Sequence, residues 1–276
     1  MGKVKMKRKS TLIDMTAMSD VTVLLLTFFM LTSTFLAKEP TVVETPSSVS
    51  QEKVPMANVV TILISGKDKP GNQATPGAEG KVFISFTGDV DSTLSSEHIR
   101  EMMLLEAAKL YNDQHKNSPV EFTAKQIAEF KKINMFGLPI KDMPAYLDLE
   151  PTKRDKFQGD MTNNGVGIPY KDKNGELNKD RNGRLTDFQI WLKAVYNVAQ
   201  RINNDQKEAL AEKPEEAAKL ENLYTAIMRN GNGIAVKADK DTPYETVHMV
   251  FDNLQTMKLN KFCLLTALKS ENEPTN

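Results

Sequence analysis

The sequence predicts a single N-terminal transmembrane helix followed by a mixed α/β (α+β) domain that contains an inserted helical and loop region. Three observations predict this architecture. Residues 15–37 are predominantly apolar and, as a helix, would extend about 34 Å, enough to span a hydrocarbon core. Residues 58–65 and 81–86 are β-branched or alternating runs typical of strands. Residues 234–267 follow a strand–helix–strand pattern.

The charge distribution predicts the orientation of this chain in a membrane. The 276 residues have a formal net charge of zero, which gives no global electrostatic case for nucleic-acid binding. Local charge is more informative, because positive charge flanking a span stays in the cytoplasm. We therefore expect a cytoplasmic N-terminus in the inner (cytoplasmic) membrane and a C-terminal domain in the periplasm of a Gram-negative cell. The basic residues before the apolar run are Lys3, Lys5, Lys7, Arg8 and Lys9.

A cleaved signal peptide is the alternative interpretation of the N-terminal segment, since it also has a basic start and an apolar core. Two details favour a retained anchor. The segment contains an acidic residue, Asp20, and the sequence Phe35-Leu36-Ala37 lacks small residues at both positions of a cleavage site. The length of the run also suits a membrane span better than a signal core.

Asp20 is the residue of this segment that most needs an explanation. A carboxylate near the centre of a membrane helix costs about 2.5–3.5 kcal/mol on insertion scales, so it is usually kept for ion traffic or for a partner helix. Helical spacing predicts that Thr16, Asp20, Thr27 and Thr34 lie on nearly one face. Two interpretations remain open from the residues alone. Either the face contacts partner helices, or the hydroxyls bond their own backbone and Asp20 caps the helix at the headgroup boundary.

The chain after the apolar run begins with a predicted linker and a hairpin. Residues 38–58 contain Pro40, Pro46 and Pro55 without a helical or strand period, which indicates an extended, semi-flexible segment. The two strands 58–65 and 81–86 follow, joined by a long connection. A helix with an apolar stripe is predicted from residues 92–96 to residue 111.

The middle of the chain is less regular. Residues 112–183 predict one short helix, at 123–133, among many Lys, Asp, Asn, Gly and Pro residues. Thr186 to Gln189 form a capping box, which predicts a helix with its apolar face towards the core. A further helix is predicted over 214–228, ending at Asn230-Gly231. Its predicted inward residues are Leu220, Leu223, Tyr224 and Ile227.

The last block predicts a βαβ unit, right-handed if its strands are parallel. A strand over 234–238 leads to a helix with Asp241 or Thr242 as N-cap and Pro243 in the first turn. A closing strand is predicted over 262–267. The predicted buried stripe of the helix is Tyr244, Val247, Phe251 and Leu254.

Motifs for catalysis and metal binding are weak. Cys263 is the only cysteine, so no intrachain disulfide is expected. The repeated sequences 172–175 and 180–183 suggest calcium loops, but no suitable closing glutamate follows, and Asn-Gly turns explain them better. No phosphate loop, nucleophile elbow or His-rich spacing occurs in the sequence. We therefore expect no catalytic residue, no metal site and no enzyme.

Two segments resemble a known family. Residues 14–35, DMTAMSDVTVLLLTFFMLTSTF, are similar to the N-terminal helix of the ExbD/TolR family of biopolymer-transport proteins, which energise TonB and Tol systems from the inner membrane. Residues 233–269, with a strand, an Asp-Lys-x-x-x-Tyr turn, a helix and a strand, resemble the end of the family's periplasmic domain. The chain departs from the family pattern at Ala17, where Pro is usual, and at Ser19, where an aliphatic residue is usual.

The resemblance implies that Asp20 is the protonatable, ion-carrying residue of a motor driven by the ion-motive force, with Thr16, Thr27 and Thr34 on its polar face. It implies a multi-span partner of the ExbB or TolQ type, an envelope partner of the TonB or TolA type and a homodimer. It implies no cofactor other than H⁺ or Na⁺ as the coupling ion. The alternative is a non-energised single-pass anchor whose periplasmic domain binds cell wall or an envelope protein.

These observations predict five consecutive parts of the chain. A compact member of the family needs fewer residues between the hairpin and the final βαβ unit, which predicts an insertion over 112–230. The parts are a cytoplasmic basic tail (1–13), a transmembrane helix (14–37), a linker (38–58), a periplasmic domain of ExbD/TolR type (59–269) and a tail (270–276).

Overall fold

The computed structural model describes residues 15–32, 39–41, 43–48, 57–66, 79–88, 94–172, 174–179 and 183–268. It divides into two compact units, Met1–Lys38 and Glu39–Asn276, which are described separately.

The first unit contains helix α1, Met15–Thr32. Leu, Val, Phe and Met dominate it, and every side chain described in it is exposed, from 54% for Leu25 to 86% for Leu31 among its leucines. The rest of the predicted span 14–37, which is residue 14 and residues 33–37, lies outside the described residues. Among the residues that are described, no helix has the combined length and apolar character that crossing a membrane requires.

The second unit is built on a mixed five-stranded sheet in the order β4-β3-β2-β5-β6. Strands β2 and β3 form the predicted antiparallel hairpin, while β5 lies parallel to β2 and β6 parallel to β5. The mixed α and β composition predicted for this domain is thereby confirmed. The strands are β1 Ser47–Ser48, β2 Val59–Ser65, β3 Lys81–Thr87, β4 Met135–Phe136, β5 Ile234–Ala238, β6 Cys263–Leu265 and β7 Ala267–Leu268.

Nine α-helices are described in the two units together. Within the second unit, α6 packs against α2 and α9. Short 3₁₀ and π-helical turns, Ile140–Asp142 and Ala226–Asn230, precede α4 and follow α8. The helices after α1 are α2 Ser96–Gln114, α3 Ala124–Lys131, α4 Met143–Leu147, α5 Pro151–Gly159, α6 Asp187–Ala209, α7 Pro214–Ala218, α8 Leu223–Thr225 and α9 Tyr244–Thr256.

The main core lies between one face of the sheet and these helices. Ile62, Ile84 and Val236 point to this face and are fully buried, as expected when alternate residues of a strand face the same way. Trp191 of α6 is also fully buried and lies against Phe130 and Phe136, with ring centroids 6.2 and 4.9 Å away. The helices thus bury the apolar half of each central strand.

A smaller cluster covers part of the opposite face. Leu63 and Phe83 are the strand residues of this cluster, and Met161 and Val166 of the loop after α5 pack on them. Val43 from the segment before the hairpin joins the same cluster. Both faces of β2 and β3 are therefore covered, which explains why β2 reads as an almost continuous apolar run.

Helix α6 lies within the region that the sequence assigns to an insertion. Its predicted capping box is confirmed, because the Thr186 hydroxyl accepts from the Gln189 N–H (3.3 Å) and Gln189 accepts from the Thr186 N–H (3.1 Å). Its predicted apolar face is confirmed as well, and Trp191 belongs to the main core. This part of the region is therefore integral to the domain core and not an appendage on it.

The same region has more regular structure than the sequence predicts over 112–183. The predicted helix over 123–133 is found as α3, with a reciprocal cap between Thr123 and Gln126. Strand β4 and the short helices α4 and α5 were not predicted. They are short, and α4 and α5 begin with Pro at or near their first residues, so their local pattern resembles that of loops.

The single helix predicted over 214–228 is wrong. The chain forms α7, leaves the helical conformation, and starts again at α8. Asn222 has extended dihedral angles (φ −147°, ψ −179°) and its side chain accepts from the Thr225 N–H at 3.0 Å. An Asn that caps a new helix competes with continuation of the old one. The predicted end is correct, since Gly231 follows with φ +77°.

The buried face predicted for α9 is partly wrong. Tyr244 is 80% exposed, whereas Leu254 is fully buried. The buried stripe also includes Thr246 and Asn253, which find polar partners in distant loops. The predicted N-cap is wrong too, because Pro243 occupies that position without a side-chain cap. The two strands predicted on either side of the helix are found as β5 and β6, and they pair in parallel.

Candidate functional site

Helix α1 carries the residues that the sequence singles out. Thr16, Asp20 and Thr27 are all exposed on it, and at 100° per residue Thr16 and Thr27 lie within about 40° of Asp20 around the axis. These three residues therefore lie on one face of α1. Thr34, the fourth member of the predicted face, lies outside the described residues.

The hydroxyl groups of α1 bond to the backbone of the preceding turn. Ser19 donates to the Met15 carbonyl at 2.9 Å, Thr22 to the Met18 carbonyl at 2.6 Å and Thr27 to the Leu24 carbonyl at 2.9 Å. Such bonds let a hydroxyl lie in an apolar helix without an external partner. Asp20 differs from these hydroxyl residues because it places an acidic group among the apolar side chains of α1.

A second feature of functional interest is the segment that precedes the hairpin, residues 39–41 and 43–48, which we call the strap. The strap lies on the domain. Thr41 is buried, the Lys240 N–H donates to the Glu44 carbonyl at 2.8 Å, and Ser47–Ser48 pairs in parallel with Ala267–Leu268. The sequence predicts an extended, semi-flexible linker here, and the described part of it is docked on the domain.

Two ion pairs fix the strap at the carboxyl end of β5. The Glu39 carboxylate binds Lys237, with its two oxygens 2.8 and 2.7 Å from Nζ. Glu44 binds Lys240, and this contact raises the pKa of Lys240. The strap is the first described part of the second unit. The Glu39 contact attaches it to β5, a strand inside the sheet.

The Asp-Lys-x-x-x-Tyr turn lies beside the strap, at the junction of β5 and α9. Asp239 is 3% exposed, its N–H donates to the Ile64 carbonyl at 3.0 Å, and its carboxylate accepts from the Asp241 N–H at 3.4 Å. The Thr242 hydroxyl also donates to the Ile64 carbonyl, at 3.3 Å. These contacts tie the turn to the end of β2, so the two aspartates have a structural role in this geometry.

Metal-binding geometry is absent from the described residues, where no three His, Cys, Asp or Glu side chains converge. The expectations of no metal, no cofactor and no enzymatic activity stay predictions. The strap is the feature that sequence reasoning missed. The two lysines Lys237 and Lys240 are its local signal, and a local signal does not reveal carboxylate partners almost two hundred residues away.

The chain matches a protein-family model. The family model described as biopolymer transport protein ExbD/TolR matches residues 6–134. The match includes α1, Asp20, the strap and the hairpin, and it ends before the C-terminal segment that also resembles the family. No curated protein and no solved structure matches the chain significantly.

Proposed function

Because the match over residues 6–134 assigns this chain to the ExbD/TolR family, whose members act in energising biopolymer transport, we propose that it is an ion-motive-force-driven subunit of an inner-membrane motor. In this proposal α1 and the residues after it to Ala37 form the single membrane span, with the N-terminus in the cytoplasm. The domain lies in the periplasm. Its partners are a multi-span protein of the ExbB or TolQ type and an envelope protein of the TonB or TolA type.

The observation that carries the proposal is Asp20 on an exposed apolar helix within the matched region. Side chains such as Val21, Phe29 and Leu31 are 61%, 61% and 86% exposed. A contiguous apolar surface of this kind marks a contact with lipid or with other proteins. A carboxylate within such a surface is costly unless a partner or a water path serves it, which is the setting that an ion carrier requires.

The proposed mechanism uses Asp20 as the group that binds and releases the coupling ion, H⁺ or Na⁺. Helices of the multi-span partner contact the face formed by Thr16, Asp20 and Thr27. Neutralising the carboxylate removes its electrostatic attraction to polar groups of the partner, and ionising it restores that attraction. Alternation between the two states shifts α1 relative to the partner. The strap then transmits the motion to the sheet of the periplasmic domain.

The test is the exchange of Asp20 for Asn in the full chain, expressed with its membrane partner. Asp20→Asn keeps the size and polarity of the side chain and removes its charge. We expect loss of energised transport with normal expression and normal co-purification of the partner. Asp20→Glu, which keeps the carboxylate, is expected to retain part of the activity, and Thr27→Val serves as a control for changes to the same face.

Full energised transport by the Asp20→Asn protein would remove the ion-carrying role. The non-energised anchor would then be the better interpretation, with Asp20 as a helix cap. Failure of Asp20→Asn to assemble with the partner would instead assign Asp20 to the interface between the helices. Cross-linking from Thr16 and Thr27 to the partner separates this outcome from loss of ion transfer alone.

A further inference from the structure

The break between α7 and α8 opens a pocket against α6. Its volume is about 260 Å³, and it is lined by the C-terminal half of α6, the α7–α8 segment and the π-helical turn Ala226–Asn230. Short π-helical turns occur frequently at functional sites. Sites for drug-sized molecules have volumes of about 300–1,000 Å³, so this pocket suits a smaller molecule.

The charges around the pocket are of one sign. Lys207 of α6 and Arg229 of the π-helical turn line it from opposite elements, and no carboxylate is among its described lining residues. Both cations lie on the rim and are exposed. Two cations on separate elements of a small concave site favour an anion with several acceptor oxygens.

Inside the pocket, the polar side chain of Asn203 lies together with several apolar side chains. Asn203 is 4% exposed, and its oxygen accepts from the side-chain amide of Asn222 at 3.4 Å. Among the hydrogen bonds of the described residues, the side-chain NH₂ of Asn203 donates in none. Asn203 lines the pocket, so its side-chain NH₂ is a hydrogen-bond donor available to a ligand there. The apolar wall consists of Leu220, Tyr224 and Met228.

The pocket is held in place by a network behind it. Asn222 donates to Gln206 of α6 at 2.8 Å and accepts from the Thr225 N–H at 3.0 Å. Tyr224 lies near Tyr196 of α6, with ring centroids 6.5 Å apart. These contacts hold the α7–α8 segment against α6.

We propose that this pocket binds a small organic anion, a carboxylate or phosphate monoester on a compact apolar body. The anionic group lies between Lys207 and Arg229 and accepts from the Asn203 amide. The apolar body packs on Leu220, Tyr224 and Met228. This site does not depend on the proposed motor function, and the two proposals are tested by separate measurements.

The test uses the full chain in neutral detergent, labelled with ¹³C at the methionine methyl groups. Benzoate and phenyl phosphate are the probes, and benzyl alcohol is the neutral compound of similar body. We expect the Met228 methyl signal, identified by its loss in Met228→Leu, to shift saturably with at least one anion. Lys207→Gln and Arg229→Gln are each expected to weaken that binding about tenfold, the effect of losing one charge-assisted hydrogen bond.

Arg201→Gln is the matched control, because Arg201 is an exposed cation on α6 that does not line the pocket. The Arg201→Gln protein is expected to bind the anion with the same affinity as the unaltered protein. Comparing benzoate with phenyl phosphate then identifies the preferred anionic group. The proposal is overturned if neither anion shifts Met228 saturably, if benzyl alcohol binds as tightly, or if a folded Lys207→Gln/Arg229→Gln protein binds with unchanged affinity.

Discussion

Lys237 on β5 binds both carboxylate oxygens of Glu39, at 2.8 and 2.7 Å, although the two residues are 198 positions apart in the chain. The contact joins the first described residue of the second unit to a central strand of its sheet. Val43, a few residues later, is packed on the core beneath the sheet. The segment after the proposed membrane span is therefore fastened to the domain at several points.

Glu39→Gln is expected to loosen the strap without unfolding the domain. The side chains of Lys237 and Glu39 are 21% and 38% exposed, and ion pairs of this kind contribute about 0.2–1 kcal/mol. The amide of Lys240, bonded to the Glu44 carbonyl, should exchange its hydrogen faster, while amides of β2 and β3 keep their rates. Hydrogen exchange followed by mass spectrometry measures both. Glu150→Gln, which alters an exposed pair with Lys153, should change neither rate, and equal exchange at Lys240 in both variants would show that the strap does not depend on Glu39.

Glu129 predicts a pH dependence of stability. A hydrogen bond from Lys132, which has the larger effect, and one from Arg154 lower the pKa of Glu129 to about 2. A carboxylate whose pKa is lower in the folded state than in the unfolded state stabilises the protein at pH values above its unfolded-state pKa. This stabilisation is lost as the pH falls through the folded-state pKa of about 2. Glu129→Gln should therefore be less stable than the unaltered protein near neutral pH.

The difference in stability between the two proteins should disappear as the pH is lowered from about 4.5 towards about 2. Urea unfolding midpoints across this range measure it. Glu150→Gln, at an exposed carboxylate, is the control variant measured beside it. A constant difference at every pH would mean that Glu129 stabilises by packing and not by charge.

Phe130→Ala should destabilise the domain by about 3–5 kcal/mol. Phe130 is fully buried, 5.1 Å from the ring of Phe136 and stacked at 6.2 Å with Trp191, so truncation leaves a cavity in the main core. Tyr244→Ala, at an 80% exposed ring, should change stability by less than about 0.5 kcal/mol. Thermal and urea unfolding of both variants test this contrast. A large effect at Tyr244 would mean that its ring is covered by a second molecule in solution.

Gly231→Ala should destabilise the domain by about 1–2 kcal/mol. Gly231 ends the π-helical turn with φ +77°, a conformation in which a β-carbon is strained. Gly231→Asn should cost less, because Asn tolerates this region better than Ala. Urea unfolding of both variants gives the comparison. Equal stability of the two would argue that contact with Lys261, whose β-carbon would be 3.3 Å from the added one, dominates over backbone strain.

Helix ends and strands were predicted well where the signal is local. The capping box of Thr186 and Gln189 depends on residues three apart, and the β-branched run of β2 needs no distant partner to be recognised. The helix break at Asn222 was missed, because the apolar spacing of Leu220, Leu223 and Ile227 continues through it. Asn222 is held in its capping position by a hydrogen bond to Gln206 of another helix. The spacing of apolar residues along the sequence gives no information about such a contact.

The sequence by itself was enough to identify the apolar helix with its acidic residue, the hairpin, the final βαβ unit and the family resemblance. Each of these features depends on residues that are close together in the chain. The tertiary structure decided which face of α9 is buried. Thr246 accepts from the Gly80 N–H at 3.1 Å and Asn253 donates to the Tyr170 carbonyl at 3.1 Å, so polar residues point inward and Tyr244 points outward. It also decided that the strap is docked on Lys237 and Lys240. Burial of a polar side chain and pairing of distant charges depend on partners that only the folded chain brings together.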